Sequence, residues 1–189
     1  AGSAASPPSA PVAACPKHAV EPDCRFRGAA ALQAAIDATP DGGTLVIRSG
    51  EYVAEGTRST AFQDATLPSF LTISGRVITI RADEGAVLVG NPKAPSTAMT
   101  LVNADAAISG LEIRGFTYAS DEDALYDGHG IFAIDSRMTI DRVRLTRISK
   151  MAVSARGDSQ LIARHVTISD SHVGFWLRES SYARISHAT

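Results

Sequence analysis

Ala30-Ala31-Leu32-Gln33-Ala34-Ala35-Ile36-Asp37-Ala38, followed by Gly42-Gly43-Thr44-Leu45-Val46-Ile47 and Gly50-Glu51-Tyr52, hands a helix directly to a strand. Between Gly28 and Thr39 the apolar residues Leu32, Ala35 and Ile36 recur at helical spacing, with Gln33 and Asp37 on the other face. Pro40 and the Gly42-Gly43 pair end the helix. Thr44 to Arg48 then alternates with the two-residue period of a strand, and Ser49-Gly50-Glu51-Tyr52 supplies the turn that follows.

Outward from that segment, short alternating runs such as Val77-Ile78-Thr79-Ile80 and Leu111-Glu112-Ile113 are broken by Gly, Asn, Asp and Ser, with no second helical pattern. The runs recur. Asp135-Ser136 precedes Ile140 to Ile148, Asp158-Ser159 precedes Leu161 to Ile168, and Ser180-Ser181 precedes Ala183 to Ile185, a spacing of roughly 20 to 23 residues. A unit of that size cannot bury its own apolar face, so neighbouring units must stack. Leucine-rich repeats share the period but need a Leu and Asn ladder that is missing here. The expectation is an all-β solenoid, a parallel β-helix over residues 28–189 with an N-terminal capping α-helix. Residues 1–27 read as a flexible leader, because Ala1 to Ala14 is almost wholly Ala, Ser and Pro.

The bulk composition narrows the function. The 189 residues, 44% hydrophobic, suffice for one continuous core. Eighteen basic and 20 acidic residues give a formal charge of −2 and are mixed along the chain, which leaves no uniform field for nucleic acid. No run approaches the roughly 20 apolar residues of a membrane helix, so membrane insertion is not expected. The two cysteines, Cys15 and Cys24, flank a small loop with Pro16 and Pro22, which reads as a local disulfide. Closing such a loop stabilises by about 2–3 kcal/mol in the chain-entropy model, and the bond persists in oxidising compartments, pointing to a periplasmic or secreted protein.

The helix-to-strand segment from Ala30 to Tyr52 resembles the N-terminal cap of the pectin-lyase-like superfamily, where the helix plugs the open end of the first coil. The resemblance implies a right-handed parallel β-helix from about Gly28 to Thr189. It also implies binding or processing of an acidic, uronate-containing polysaccharide, by β-elimination or epimerisation if the protein is an enzyme. Catalytically silent members of the superfamily make a structural scaffold or carbohydrate-binding module the alternative. Pectin methylesterases resemble Val46 to Tyr52, but their paired catalytic Asp and Arg have no counterpart.

The longest interruption of the coil pattern runs from Thr117 to His129, and long loops leaving a rigid solenoid are common places for sites. Its carboxylates, Asp121 and Asp123 foremost, are candidate ligands for Ca²⁺. Asp127-Gly128-His129-Gly130 is partly similar to the Asp-Pro-His-Asp motif of mannuronate epimerases and related alginate enzymes, matching at Asp127 and His129 and departing at both glycines. The match implies a proton-transfer role for that pair. Proton abstraction beside a uronate carboxylate needs a cation to neutralise the carboxylate, for which Arg178 is the candidate.

If Val173, Phe175 and Leu177 point inward, Trp176 and Arg178 point outward, with Arg156 one coil below Trp176. Trp176, Arg156 and the loop residue Tyr126 are then candidate sugar-binding side chains. Lys150, Arg142, Arg144, Arg147, Glu112 and Asp141 read as a solvated face. His165, His172 and His187 share no offset along the coil and read as surface histidines. The last strand-like run ends without a polar cap, which raises the expectation of further coils or of a homo-oligomer or partner covering that end.

Overall fold

The computed structural model describes residues 9–18, 24–63, 65–118 and 127–189. Two short strands, β1 (Val12–Cys15) and β2 (Phe26–Arg27), a 3₁₀ turn (Ala29–Ala31) and a helix, α1 (Leu32–Ala38), precede a stack of coils. The first coil is β3 (Gly43–Ile47), β4 (Gly50–Val53) and, after the hairpin strand β5 (Arg58–Phe62), the long β6 (Ala65–Ser74). The second is β7 (Val77–Ala82), β8 (Ala86–Val89) and β9 (Thr97–Val102), and the third is β10 (Asp105–Ser109), β11 (Glu112–Arg114) and β12 (Ile131–Ile134). A fourth holds β13 (Arg137–Asp141), β14 (Arg144–Thr146) and β15 (Met151–Arg156). The fifth holds β16 (Gln160–Arg164), β17 (Thr167–Ser169) and β18 (Val173–Leu177), after which β19 (Tyr182–Ser186) begins another turn.

The first strand of every coil joins one sheet, the second another and the third a third, in orders β19-β16-β13-β10-β7-β3-β1-β2, β17-β14-β11-β8-β4 and β18-β15-β12-β9-β6-β5. Every pairing is parallel except that of β5 with β6. The protein is thus an all-β, solenoid-like stack of parallel strands. Register places like on like inside it. Ile80, Ile108 and Ile140 lie in one column, Leu88, Ile113 and Leu145 in a second, and Leu71, Met99, Ile131 and Val153 in a third, all buried. Each such side chain contributes about 1.5–3 kcal/mol of hydrophobic burial.

The corners explain the repeat. At the bend from the third sheet to the first, Gly75, Asn103, Asp135, Gly157 and Glu179 all have positive φ. Between the first and second sheets Arg142, His165 and His187 do the same. Such a left-handed residue turns the chain sharply, and Gly, Asn and Asp tolerate it best. Arg137 pairs with Gln160 and Gln160 with Tyr182, so the uninserted coil spans 23 and then 22 residues.

Two parts of the N-terminal reading change. Val12–Cys15, assigned from sequence to the leader, is a strand paired with β3, and Ala14 and Cys15 are buried. The buried hydroxyl of Tyr52 donates to the carbonyls of Ala14 and Arg48, at 3.1 and 3.0 Å. Cys15 and Cys24 form the expected disulfide. It joins the end of β1 to the approach of β2, its parallel neighbour.

The helix caps as expected, with Leu32, Ala35 and Ile36 fully buried. Gln33, read as facing away, is buried too. Its amide donates to Thr72 O at 2.8 Å and accepts from Thr72 N–H at 2.8 Å. Beyond Ser69, β6 has β9 on one flank and, among the described residues, no strand on the other, so Gln33 takes the place of a neighbour there. Arg76 donates to the carbonyls of Ile36 and Thr39, closing the helix C-terminus. Replacing Gln33 with Leu is expected to cost about 1–3 kcal/mol, the penalty of stranding backbone polar groups, measured as a lowered denaturant midpoint.

Candidate functional site

The outer face of the third sheet is where the candidates meet. Thr100, Phe132, Ser154 and Trp176 share one register column, and Val102, Ile134 and Arg156 the parallel one. Arg178 N–H donates to Ala155 O at 3.0 Å, which carries that second column to Arg178. Trp176 and Arg178 face outward as expected. The neighbour of Trp176 in the coil before it is Ser154, not Arg156, because the coil is 22 residues long here and not 20. Arg156 instead lies beside Arg178.

One end of this face is covered. The β5–β6 hairpin lays Phe62 and Leu67 over Phe132 and Ile134, with Val102 packed against them, to form an apolar cluster outside the main core. The rings of Phe62 and Phe132 meet edge to face, centroids 5.7 Å apart. Gln63, with φ 52°, turns at the hairpin tip. Next to the cluster opens a cavity of about 320 Å³. Gln63, Phe132 and His129 line it on the hairpin side, where Arg156 reaches Phe62, with Ser154 and Met151 along the sheet and Trp176 and Arg178 at the far side.

The two arginines differ in constraint. The Arg156 guanidinium sits over the Phe62 ring, 5.2 Å from its centroid, and donates to Glu179 at 2.8 and 3.3 Å. Glu179 also accepts from Gly157 N–H. These donors, the guanidinium first, hold the Glu179 carboxyl below its ordinary value. A group lowered in the folded state favours folding above its unfolded value and loses that contribution as pH falls through the lowered one. A carbon-13 titration of Glu179 is therefore expected to show a midpoint below that of an ordinary glutamate, returning toward it in Arg156→Ala. Arg178 is exposed and reaches solvent beside Trp176, which is 38% exposed.

His129 is buried, its ring edge-on to Phe132 with centroids 5.0 Å apart. Asp127 is buried as well but does not line the cavity. It pairs with Lys150, Nζ to Oδ1 3.5 Å, and Lys150 also lies 5.1 Å from the Tyr118 ring centroid. Lys150, read from sequence as part of a solvated face, is thus mostly covered. The two glycines that break the motif have structural causes. Gly128 turns with φ 73° against the Tyr118 backbone. At Gly130 a Cβ would strike the Ala152 carbonyl and Leu145, where the chain starts β12.

Tyr126, Asp121 and Asp123 lie outside the described residues. Among the described residues no group of three or more His, Cys, Asp or Glu is placed to hold a metal ion. His165 and His187, read as sharing no offset, occupy the same corner of successive coils with rings stacked 5.0 Å apart. His165 Nδ1 also meets Asp141 at 2.9 Å, and this contact, with the Arg142 charge, lowers the Asp141 carboxyl. Gln63, Phe132, Met151, Ser154 and Glu179 were not found from sequence; they come from four different turns of the chain, Met151 and Ser154 sharing β15, and only the register brings them together.

A second hollow, about 450 Å³, follows the bend between the third and first sheets. Three of its polar groups have structural partners: Asp135 accepts from Asp158 N–H at 2.9 Å, Asp41 from Val77 N–H at 2.7 Å, and Arg76 caps the helix. It is a less apt site for a ligand than the outer-face cavity.

No protein-family model matches the chain, and no curated protein matches it. Among solved structures it is similar to the crystal structure of a candidate glycosyl hydrolase from Parabacteroides merdae, with a TM-score of 0.58 and 11% identity over 85% of this chain and 89% of that one. At that identity the likeness bears on the fold.

Proposed function

We propose that the outer-face cavity binds a uronate-containing acidic polysaccharide, and that the stack is a right-handed parallel β-helix of the pectin-lyase-like kind, exported to the periplasm or beyond. The observation that carries the reading is the convergence of Trp176, Arg156 and Arg178 on one cavity. An indole face stacks on a pyranose ring, while guanidinium groups pair with its carboxylate in bidentate fashion. A glycosyl hydrolase description of the structural neighbour is in keeping with a carbohydrate ligand. The right hand follows the general preference of parallel crossover connections, and the disulfide fits an oxidising compartment.

For turnover, His129 is the cavity-wall group suited to move the proton beside the uronate carboxylate, and Arg178 the cation that stabilises the resulting charge. Asp127, paired with Lys150 outside the cavity, would position the turn that carries His129. That placement also favours a second reading, a carbohydrate-binding module without turnover, since among the described residues no carboxylate lines the cavity.

The test is a panel of alginate, polygalacturonate and neutral glucans, with and without Ca²⁺, followed by thermal shift and by the ultraviolet absorbance of unsaturated uronates. Acidic glycans are expected to raise the melting temperature and neutral ones to leave it unchanged. Trp176→Ala should weaken that binding about tenfold, the worth of one stacked ring. New absorbance establishes β-elimination; a shift without it leaves epimerisation or binding. A response to neutral glucans alone, or none, would sink the proposal.

A further inference from the structure

We infer that the cavity receives the end of a glycan chain and not an internal stretch of it. The inference rests on the acidic-glycan reading above and adds how the ligand is presented. A polymer lying along the outer face of the third sheet would have to follow the columns from Thr100 and Val102 to Trp176 and Arg178. That path is shut on the hairpin side. Phe62 and Leu67 cover Phe132 and Ile134 in a dry cluster, Val102 is packed beneath it, and Thr100 is fully buried.

The closure is built firmly. Phe62 pairs with Ala65 in the antiparallel β5–β6 ladder, packs edge-on against Phe132, and carries the Arg156 guanidinium on its ring. Arg156 is anchored in turn by Glu179. Sliding a chain past would therefore break an apolar cluster, a cation–π contact and an ion pair together. On the other side, Trp176 and Arg178 are exposed and leave the cavity open. Its volume of about 320 Å³ is at the small end of ligand cavities, room for roughly one or two sugar units. The terminal uronate would sit with its carboxylate toward Arg156, and the rest of the chain would leave over Trp176.

The experiment uses the intact protein and a length series of oligouronates, from trimer to decamer and on to polymer, with affinity read by calorimetry and complex mass by sedimentation at saturating protein. End binding predicts one protein per chain at every length and an affinity per chain that stays within about twofold beyond the trimer. A number of bound proteins that grows with chain length would overturn the inference while leaving the acidic-glycan reading standing. If no uronate oligomer of any length bound, the reading itself would fall and the inference with it.

Discussion

Leu32→Asp is expected to leave the chain without a cooperative thermal transition. Leu32 is fully buried at the start of α1, which packs on β1, β2 and β6 and seals the first coil. Removing the side chain alone would cost about 2–5 kcal/mol. Burying an unpaired carboxylate there adds a further desolvation penalty that only protonation could relieve. Against a typical total stability of about 5–15 kcal/mol, the sum is enough to unfold the protein or nearly so. Circular dichroism melts of the native chain, Leu32→Asp and the volume-conserving Leu32→Met would read it, the last costing less than about 1.5 kcal/mol. A retained melting temperature in Leu32→Asp would mean that the helix does not seal the stack.

Gly90→Ala is expected to produce the second large loss, about 3 kcal/mol or more. Gly90 N–H donates to Arg114 O at 2.9 Å at the bend into the third sheet, and a Cβ there would run into the carbonyl of Gly115 and the Cα of Phe116. Those atoms are backbone, fixed by the stacking of one coil on the next, so the clash cannot be relieved by a rotamer change, and overpacking of this kind costs 1–3 kcal/mol or more. Gly115 is the control. It has φ 70° but open space around its Cβ position, so Gly115→Ala should lose only about 1–2 kcal/mol of left-handed strain. Equal losses in the two variants, by denaturant unfolding, would show that close approach between coils is not what Gly90 provides.

Much of the architecture was legible because it rests on periodicities. Leu32, Ala35 and Ile36 at helical spacing, then Leu45 and Ile47 at strand spacing, state the cap and the first coil in a line of text. The strand β1 was hidden because four residues of Ala-rich sequence carry no period, and its place is decided by pairing with β3 far along the chain. Gln33 was misread for a similar reason: a polar residue on a helix looks solvated until the edge it completes is known.

For the site, inward and outward faces could be read from alternation in β18, which is why Trp176 and Arg178 were found. The neighbour across coils could not, since an error of two residues in coil length replaces Ser154 with Arg156 beneath Trp176. Left-handed residues at the corners set that length. His165 and His187 were available as markers, one coil apart, and would have fixed the count.

The unequal coils have a consequence for how such a protein can change. The largest added lengths fall between the second and third sheets: the β5 hairpin in the first coil, Gly90 to Ser96 in the second, and Gly115 to Gly130 in the third. In the fourth and fifth coils the same bend takes only Arg147 to Lys150 and Asp170 to His172. Variation is thereby concentrated at one seam, bordering the cavity, while the bend between the first and second sheets differs by at most three residues. New ligand preferences can be tried there by lengthening, trimming or recolouring a single corner, while the columns of Ile, Leu and Val that hold the stack inherit no penalty from the experiment.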